Sequence, residues 1–305
     1  MIGGGEGVLT LNQKNAPWLL LMASAMWGSS FVASKICMNG GLRQFEAVFF
    51  RFGLATLLTF LIFFRQLRHP HRRAVRTGVV VGLITARSYA LEMFGITMTQ
   101  ANKASFLTAT NIVMMPFLYF LSCHVRPRMR SLGAAALAFT GVGFLSLTNG
   151  FGSFALGDAL LLADALTYGL NSIAVATLAG EDSRVEISFY QFLTTTAVMG
   201  VLSLFQGFGG SCTPAAAAAL LYQAGIPTVA CFIIKNIAIR YMDPVRCTMI
   251  LSTESVFCAI VSWLLLREVM TPRMLLGAAL IFAGVLMEVL RPAVSRRAVP
   301  AAPQH

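Results

Sequence analysis

Six ionisable side chains lie inside long apolar stretches of this 305-residue chain: Arg51, Arg87, Glu92, Asp164, Lys235 and Glu254. In hydrocarbon such groups are costly unless they face protein, water or a solute of opposite charge, so each is a candidate for binding or for proton transfer. Asp164 and Asn171 are seven residues apart with Tyr168 between them, a spacing that sets all three on one helical face. Arg87 and Glu92 are five apart, about 140° around a helix, so they do not pair along one face and each needs another partner. Arg51 stands among Phe49, Phe50 and Phe52, where it could bind an anion or tie its helix to a neighbour. Lys235 and Asn236 lie near the end of their stretch, where a lysine can also snorkel toward the headgroups. Glu254, in "ILSTESVFCAIVSWLLL", could be an interhelical hydrogen-bond hub or a substrate or proton site.

The elements that must position these groups follow from composition. The chain is 57% hydrophobic and 11% charged, where soluble domains carry about 25% charged residues. Apolar runs of about 20 residues, long enough to cross the hydrocarbon core as helix, recur throughout. Ten spans are predicted, near 16–38, 44–64, 77–99, 102–122, 131–148, 157–179, 186–206, 216–239, 245–266 and 273–290. Between them fall loop-like breaks such as "RQLRHPHRRAVR" and "GFGGSCTP". The net charge of +11 could suggest nucleic-acid binding, but the positions of the basic residues give it another meaning. With the N-terminus inside, fifteen Lys and Arg fall on the inner side and five on the outer, the positive-inside pattern, with both termini cytoplasmic. The charge is topological, and no nucleic-acid partner is expected. The first span reads as retained rather than cleaved. The six cysteines show neither C-x-x-C spacing nor histidines at ligand spacing, so they read as small hydrophobes and no metal is expected.

The chain also repeats itself. "WLLLMASAMWGSSFVASK" from residue 18 resembles "ALLLADALTYGLNSIAVA" from residue 159, "EAVFFRF" (46–52) matches "EISFYQF" (186–192), and "PRMRSLGAAALAFTGVGF" matches "PRMLLGAALIFAGVLM". The predicted organisation is a first repeat over 1–149, a second over 150–290, and a disordered basic tail, 291–305. Five spans per repeat is odd, so the second repeat enters the membrane from the opposite side, an inverted-topology arrangement common among secondary transporters. The repeat pairs Trp27 with Tyr168, Arg51 with Gln191, Glu92 with Asn236, and Glu254 with Thr110 beside Asn111. Pro116 and Pro227, inside spans 4 and 8, are predicted kinks. Gly133, Gly141, Gly277 and Gly284 read as helix-packing glycines.

These features resemble the EamA-type transporters of the drug/metabolite transporter superfamily. The residues that carry the likeness are "MWGSSFVASK" in the first span and "LSTESVFCAIVSWLLLREVMTPRMLLGAALIFAGVLM" (251–287). His124 and Ser255 depart from the family pattern, standing where an acid and a proline are common. The resemblance implies an all-α membrane protein of ten helices in two inverted five-helix repeats, carrying small metabolites by alternating access, often outward. The candidate substrate-binding set is Trp27, Arg51, Arg87, Glu92, Asn111, Asp164, Tyr168, Asn171, Lys235, Asn236 and Glu254. The interior charges balance in sign, which suits a zwitterion such as an amino acid, with the proton as a candidate coupling ion. No cofactor is expected, and the expected location is the inner or plasma membrane. A membrane-embedded enzyme fits poorly, because His69, His71, His124 and His305 all fall in loops or the tail, away from any catalytic partner.

Overall fold

A computed structural model describes residues 15–98, 101–147, 154–266 and 271–290. In chain order the helices are α1 (Ala16–Asn39), α2 (Gln44–Ile62), α3 (Phe64–Leu67), α4 (Arg72–Met98), α5 (Ala101–Thr108), α6 (Asn111–Cys123), α7 (Met129–Ser146), α8 (Leu156–Leu178), α9 (Arg184–Gln206), α10 (Pro214–Gln223), α11 (Cys231–Tyr241), α12 (Pro244–Leu251), α13 (Glu254–Leu266) and α14 (Pro272–Val289). A π-helical stretch, Ala224–Ala230, joins α10 to α11. Ten helical segments are long and apolar enough to cross a bilayer, within a few residues of the ten predicted spans at almost every boundary. The predicted tail and the loop carrying Arg267 and Glu268 lie outside the described residues.

Helices of the first half pack mainly on helices of the second: α2 on α9, α4 on α8 and α9, α7 on α14, and α1 on α10 to α13. Helices α2 and α9, which the sequence matches through "EAVFFRF" and "EISFYQF", run antiparallel. Arg43, before α2, donates from Nη1 to the carbonyls of Gln206 (2.7 Å) and Gly207 (2.8 Å) at the end of α9. Gln66, after α2, donates from Nε2 to Ser183 Oγ (2.8 Å) at the start of α9. The pair α7 and α14 is also antiparallel, and its approach is set by glycine: a Cβ on Gly141 would lie 2.5 Å from the Gly277 carbonyl oxygen. Without lipid-driven hydrophobic attraction between helices, such close backbone contact is a main source of association. Gly133, expected to serve the same purpose, has nothing within 4 Å of its Cβ position.

Two spans are interrupted at matching places. Span 4 breaks at Ala109–Thr110, between α5 and α6, and span 9 breaks at Ser252–Thr253, between α12 and α13. The two turns are closed in the same way, the Leu107 carbonyl accepting from Thr110 N–H (3.1 Å) and Oγ1 (2.6 Å) and the Ile250 carbonyl from Thr253 N–H (3.2 Å) and Oγ1 (2.8 Å). Ser252 Oγ and Ser255 Oγ cap two more carbonyls, of Met249 and Ser252. Non-helical backbone at this depth requires such satisfaction from within the protein. Asn111 and Glu254 are the first residues of the helices that follow the two breaks, one residue off the register read from sequence.

Candidate functional site

The break in span 9 sets one wall of the site. Ser24 of α1 meets Thr253 at 2.7 Å between hydroxyls and reaches the Leu251 carbonyl at 3.2 Å. Four residues along α1, a Cβ on Gly28 would lie 2.7 Å from both the Glu254 carbonyl oxygen and the Cys258 nitrogen, so glycine is what lets α1 lie against α13. Glu254 is half-buried at the start of α13, where the positive end of the helix dipole favours a carboxylate.

The second wall is the π-helical stretch of span 8. Pro227 lies within it and has no N–H for the helical ladder. Two first-half residues grip this irregular backbone. Trp27 donates from Nε1 to the Pro227 carbonyl (2.6 Å), and Arg51 donates from Nε to Thr228 Oγ1 (2.7 Å). The buried Arg51 guanidinium also lies 5.8 Å from the ring centroids of Phe52 and Tyr89. An expected kink at Pro227 is therefore a π-bulge that meets the site, a common location for such bulges. Pro116 is buried inside α6.

Around these walls the predicted charges gather. Arg51 and Glu92 lie within electrostatic reach of each other, as do Glu92 and Asp164, Glu92 and Glu254, and Glu254 and Lys235. The Tyr89 ring packs on Phe52 beneath the Arg51 guanidinium, within electrostatic reach of Glu92, Asp164 and Glu254. Asp164 is buried and accepts a hydrogen bond from Ser88 Oγ. Glu92 and Glu254 are half-buried, and among the described residues neither carboxylate accepts a side-chain hydrogen bond or pairs with a cation within 4 Å. Aromatic rings form the packing behind the charges. Trp27 meets Phe232 edge-on at 5.3 Å, and Phe52 contacts Tyr89, Phe192 and Phe232 at 5.1 to 6.0 Å between centroids.

Lys235 points inward rather than toward headgroups. It is fully buried, its Nζ donates to Asn171 Oδ1 (3.0 Å) and sits 4.5 Å above the Tyr168 ring. From Asn171 a buried polar chain runs across four helices. Asn171 Nδ2 and Gln191 Nε2 both donate to Thr85 Oγ1 (2.8 and 2.9 Å), which itself donates to the Val81 carbonyl (2.8 Å). Asn236 Nδ2 then donates to Gln191 Oε1 (3.1 Å) and Ser188 Oγ (2.9 Å). Thr85, with one proton and two lone pairs, is saturated by these three bonds. Thr85→Val is expected to strand the Gln191 Nε2 donor and leave Asn171 Nδ2 only the Val81 carbonyl (3.2 Å), at a cost of about 1–3 kcal/mol. A lower thermal midpoint of the purified protein would register this.

The structure thus brings together Trp27, Arg51, Glu92, Asp164, Tyr168, Asn171, Lys235, Asn236 and Glu254, directly or through the polar chain. Asn111 is half-buried at the break in span 4. Arg87 is not part of the group. It is exposed on the same outward stripe of α4 as Leu83 and Phe94, with no polar partner among the described residues. Arg87→Leu is accordingly expected to leave solute flux near wild type. Sequence reasoning did not nominate Ser24, Thr85, Ser88, Tyr89, Ser188, Thr228 or Thr253. The signal that could have found those on α4 is the small and polar stripe Gly78, Gly82, Thr85, Glu92, Gly95, whose face excludes Arg87.

A bundle of ten membrane-spanning helices, with charged and aromatic groups gathered beside the break in span 9 and the π-helical stretch of span 8, defines a polytopic membrane protein. The EamA-like transporter family matches residues 15–147 and again 155–290, and the chain belongs to that family, part of the drug/metabolite transporter superfamily. It is a transporter and not an enzyme. An uncharacterized transporter of Archaeoglobus fulgidus is 27% identical over 289 residues, 95% of this chain and 89% of that protein. A probable terminal-alkyne amino-acid exporter of Streptantibioticus cattleyicolor is 23% identical over 280 residues, 90% of this chain and 93% of that protein. One crystal structure superposes with a TM-score of 0.80 at 16% identity, covering 92% of this chain and 98% of its own, a likeness of fold.

Proposed function

We propose that the protein is a secondary carrier that exports small zwitterionic metabolites, amino acids or their relatives, across the plasma membrane by alternating access. The observation that carries this reading is the mixed-sign cluster drawn from both halves: Arg51 and Glu92 from the first, Asp164, Lys235 and Glu254 from the second. Arg51 is suited to a carboxylate, since its planar fork is held by Thr228 and ring faces. Glu92 and Glu254, which lack cationic partners within ion-pair distance among the described residues, suit an ammonium group.

The antiparallel packing of α2 on α9, the matching breaks in spans 4 and 9, and the two family matches support inverted repeats of 1–149 and 150–290. Inverted repeats place substrate between the halves and let them rock about it. The basic residues support cytoplasmic termini. The exporter named among the relatives supports the outward direction and the amino-acid class.

A ligand-induced thermal shift tests the substrate class. Purified protein is screened against zwitterionic, cationic and anionic solutes of matched size. Stabilisation by zwitterions above the other two classes is expected, and preference for anions alone would overturn the reading. The neighbouring Glu92 and Glu254 also favour a proton-coupled version of the cycle. Flux that rises with an imposed pH gradient is expected in that case, and flux indifferent to the gradient would remove it.

A further inference from the structure

Two carboxylates outside the central cluster hold the halves together at opposite ends of the bundle. Glu46 is the third residue of α2 and Glu186 the third of α9, equivalent positions in "EAVFFRF" and "EISFYQF". Both are buried, at 5% and 2% exposure. Each carboxylate reaches backbone belonging to the other half. Glu46 Oε2 accepts from the N–H of Gly210 (3.2 Å), besides the local Arg43 N–H (3.3 Å). Gly210 fits there because it lacks a side chain: a Cβ would lie 2.5 Å from Glu46 Oε2. Glu186 accepts from the His71 backbone N–H (3.1 Å) and from His71 Nδ1–H (3.2 Å).

The segments so held are not arbitrary. Residues 207–213 lead into α10 and the π-helical stretch that receives Trp27 and Arg51, and continue to Lys235 on α11. Residues 68–71 lead into α4, which carries Thr85, Ser88, Tyr89 and Glu92. Each carboxylate therefore fastens the entry to one of two spans that present site residues, and the antiparallel run of α2 and α9 puts the two fastenings on opposite faces of the membrane. Companion contacts reinforce both ends: Ser211 Oγ to the Gly40 carbonyl (3.4 Å) at one, and Arg73 to Asp182 (3.5 Å) with Gln66 to Ser183 at the other.

We propose that Glu46 and Glu186 are a pair of equivalent gate latches, each closing one face of the bundle through the other half's loop, with both fastened in this structure. Release of the Glu46 latch frees span 8 at its face, and release of the Glu186 latch frees span 3 at the other. The inference rests on the carrier reading above. Charge-assisted hydrogen bonds to a buried carboxylate are the stronger kind, so losing them is enough to shift a two-state equilibrium.

The test uses a cysteine-free chain with Ser255→Cys as reporter, one residue beyond Glu254, in liposomes of defined orientation. A membrane-impermeant maleimide is supplied on one face or the other. Glu46→Ala is expected to raise labelling roughly tenfold or more from the face that holds residues 207–213 and to lower it from the opposite face. Glu186→Ala should reverse that bias. Glu46→Gln and Glu186→Gln keep the shape and serve if the alanine variants do not fold, with the same opposed pattern at smaller size. Shifts in the same direction, or none, while the parent chain still moves solute, would overturn the latches and leave the carrier standing. A reporter sealed from both faces in every variant, together with no flux of any solute by the parent chain, would overturn both.

Discussion

Arg51→Ala is expected to lower the apparent affinity for a carboxylate-bearing substrate by roughly 30-fold to several thousand-fold, because removing one partner of a buried, hydrogen-bonded charge pair costs about 2–5 kcal/mol. The guanidinium is buried, tied through Nε to Thr228 and stacked near Phe52 and Tyr89, so its remaining donors are aimed before substrate arrives. A lysine there would restore the charge but not the planar fork or the Nε bond, so Arg51→Lys should recover only part of the loss. Substrate titration of the thermal shift checks this. Because Arg51 also holds Thr228, the variant's own melting midpoint separates lost binding from a loosened span 8. Arg87→Leu is the matched comparison: the same charge is removed from the same bundle, on the outward stripe of α4, and substrate affinity should stay near wild type.

Gly141→Leu is expected to have the largest effect on folding. A Cβ at that position meets the Gly277 carbonyl oxygen at 2.5 Å and the Ile281 nitrogen at 2.8 Å, and backbone atoms cannot turn aside as a side chain could. Gly277 meets Gly141 reciprocally at 2.6 Å, so the α7–α14 contact must open along its length. Overpacking of this kind costs about 1–3 kcal/mol or more, against a total stability of about 5–15 kcal/mol. The expected result is little monodisperse protein after extraction and a sharply lower melting midpoint in what remains. Gly133→Leu, on the same helix with open space around its Cβ position, should extract and melt like wild type. Equal damage from both would mean that the two glycines matter for another reason.

The ten spans were legible because a bilayer imposes one requirement, length of apolar helix, that leaves a direct mark on composition. The helix-packing role of Gly141, Gly277 and Gly284 was legible too, while Gly133 shows that glycine spacing alone does not fix which turn of a helix meets a neighbour. Arg87 teaches the same lesson among the charges. Its depth in span 3 made it a candidate, but depth is one coordinate and azimuth another, and the small and polar stripe on α4 points away from it. Lys235 was a candidate for which the sequence left two readings open. Near a span end a lysine can reach headgroups, and only the tertiary placement of Asn171 and Tyr168 draws it inward. The polar chain through Thr85, Gln191 and Ser188 was the least legible part. Hydroxyls and amides are common in membrane helices, and whether they join a network depends on which helices become neighbours. The breaks in spans 4 and 9 left a faint trace in the polar residues Thr110, Asn111 and "STES", which the sequence offers as polar spots in the two halves but not as interruptions.

The most direct test of the account is solute flux in proteoliposomes holding purified protein, measured with labelled amino acids and related zwitterions beside Arg51→Ala, Glu254→Gln and Arg87→Leu. The account predicts saturable zwitterion flux that is lost in the first two variants, with both still folded, and kept in the third. Flux retained by Arg51→Ala and Glu254→Gln, or lost with Arg87→Leu alone, would contradict a site built on the charges that converge between the two halves.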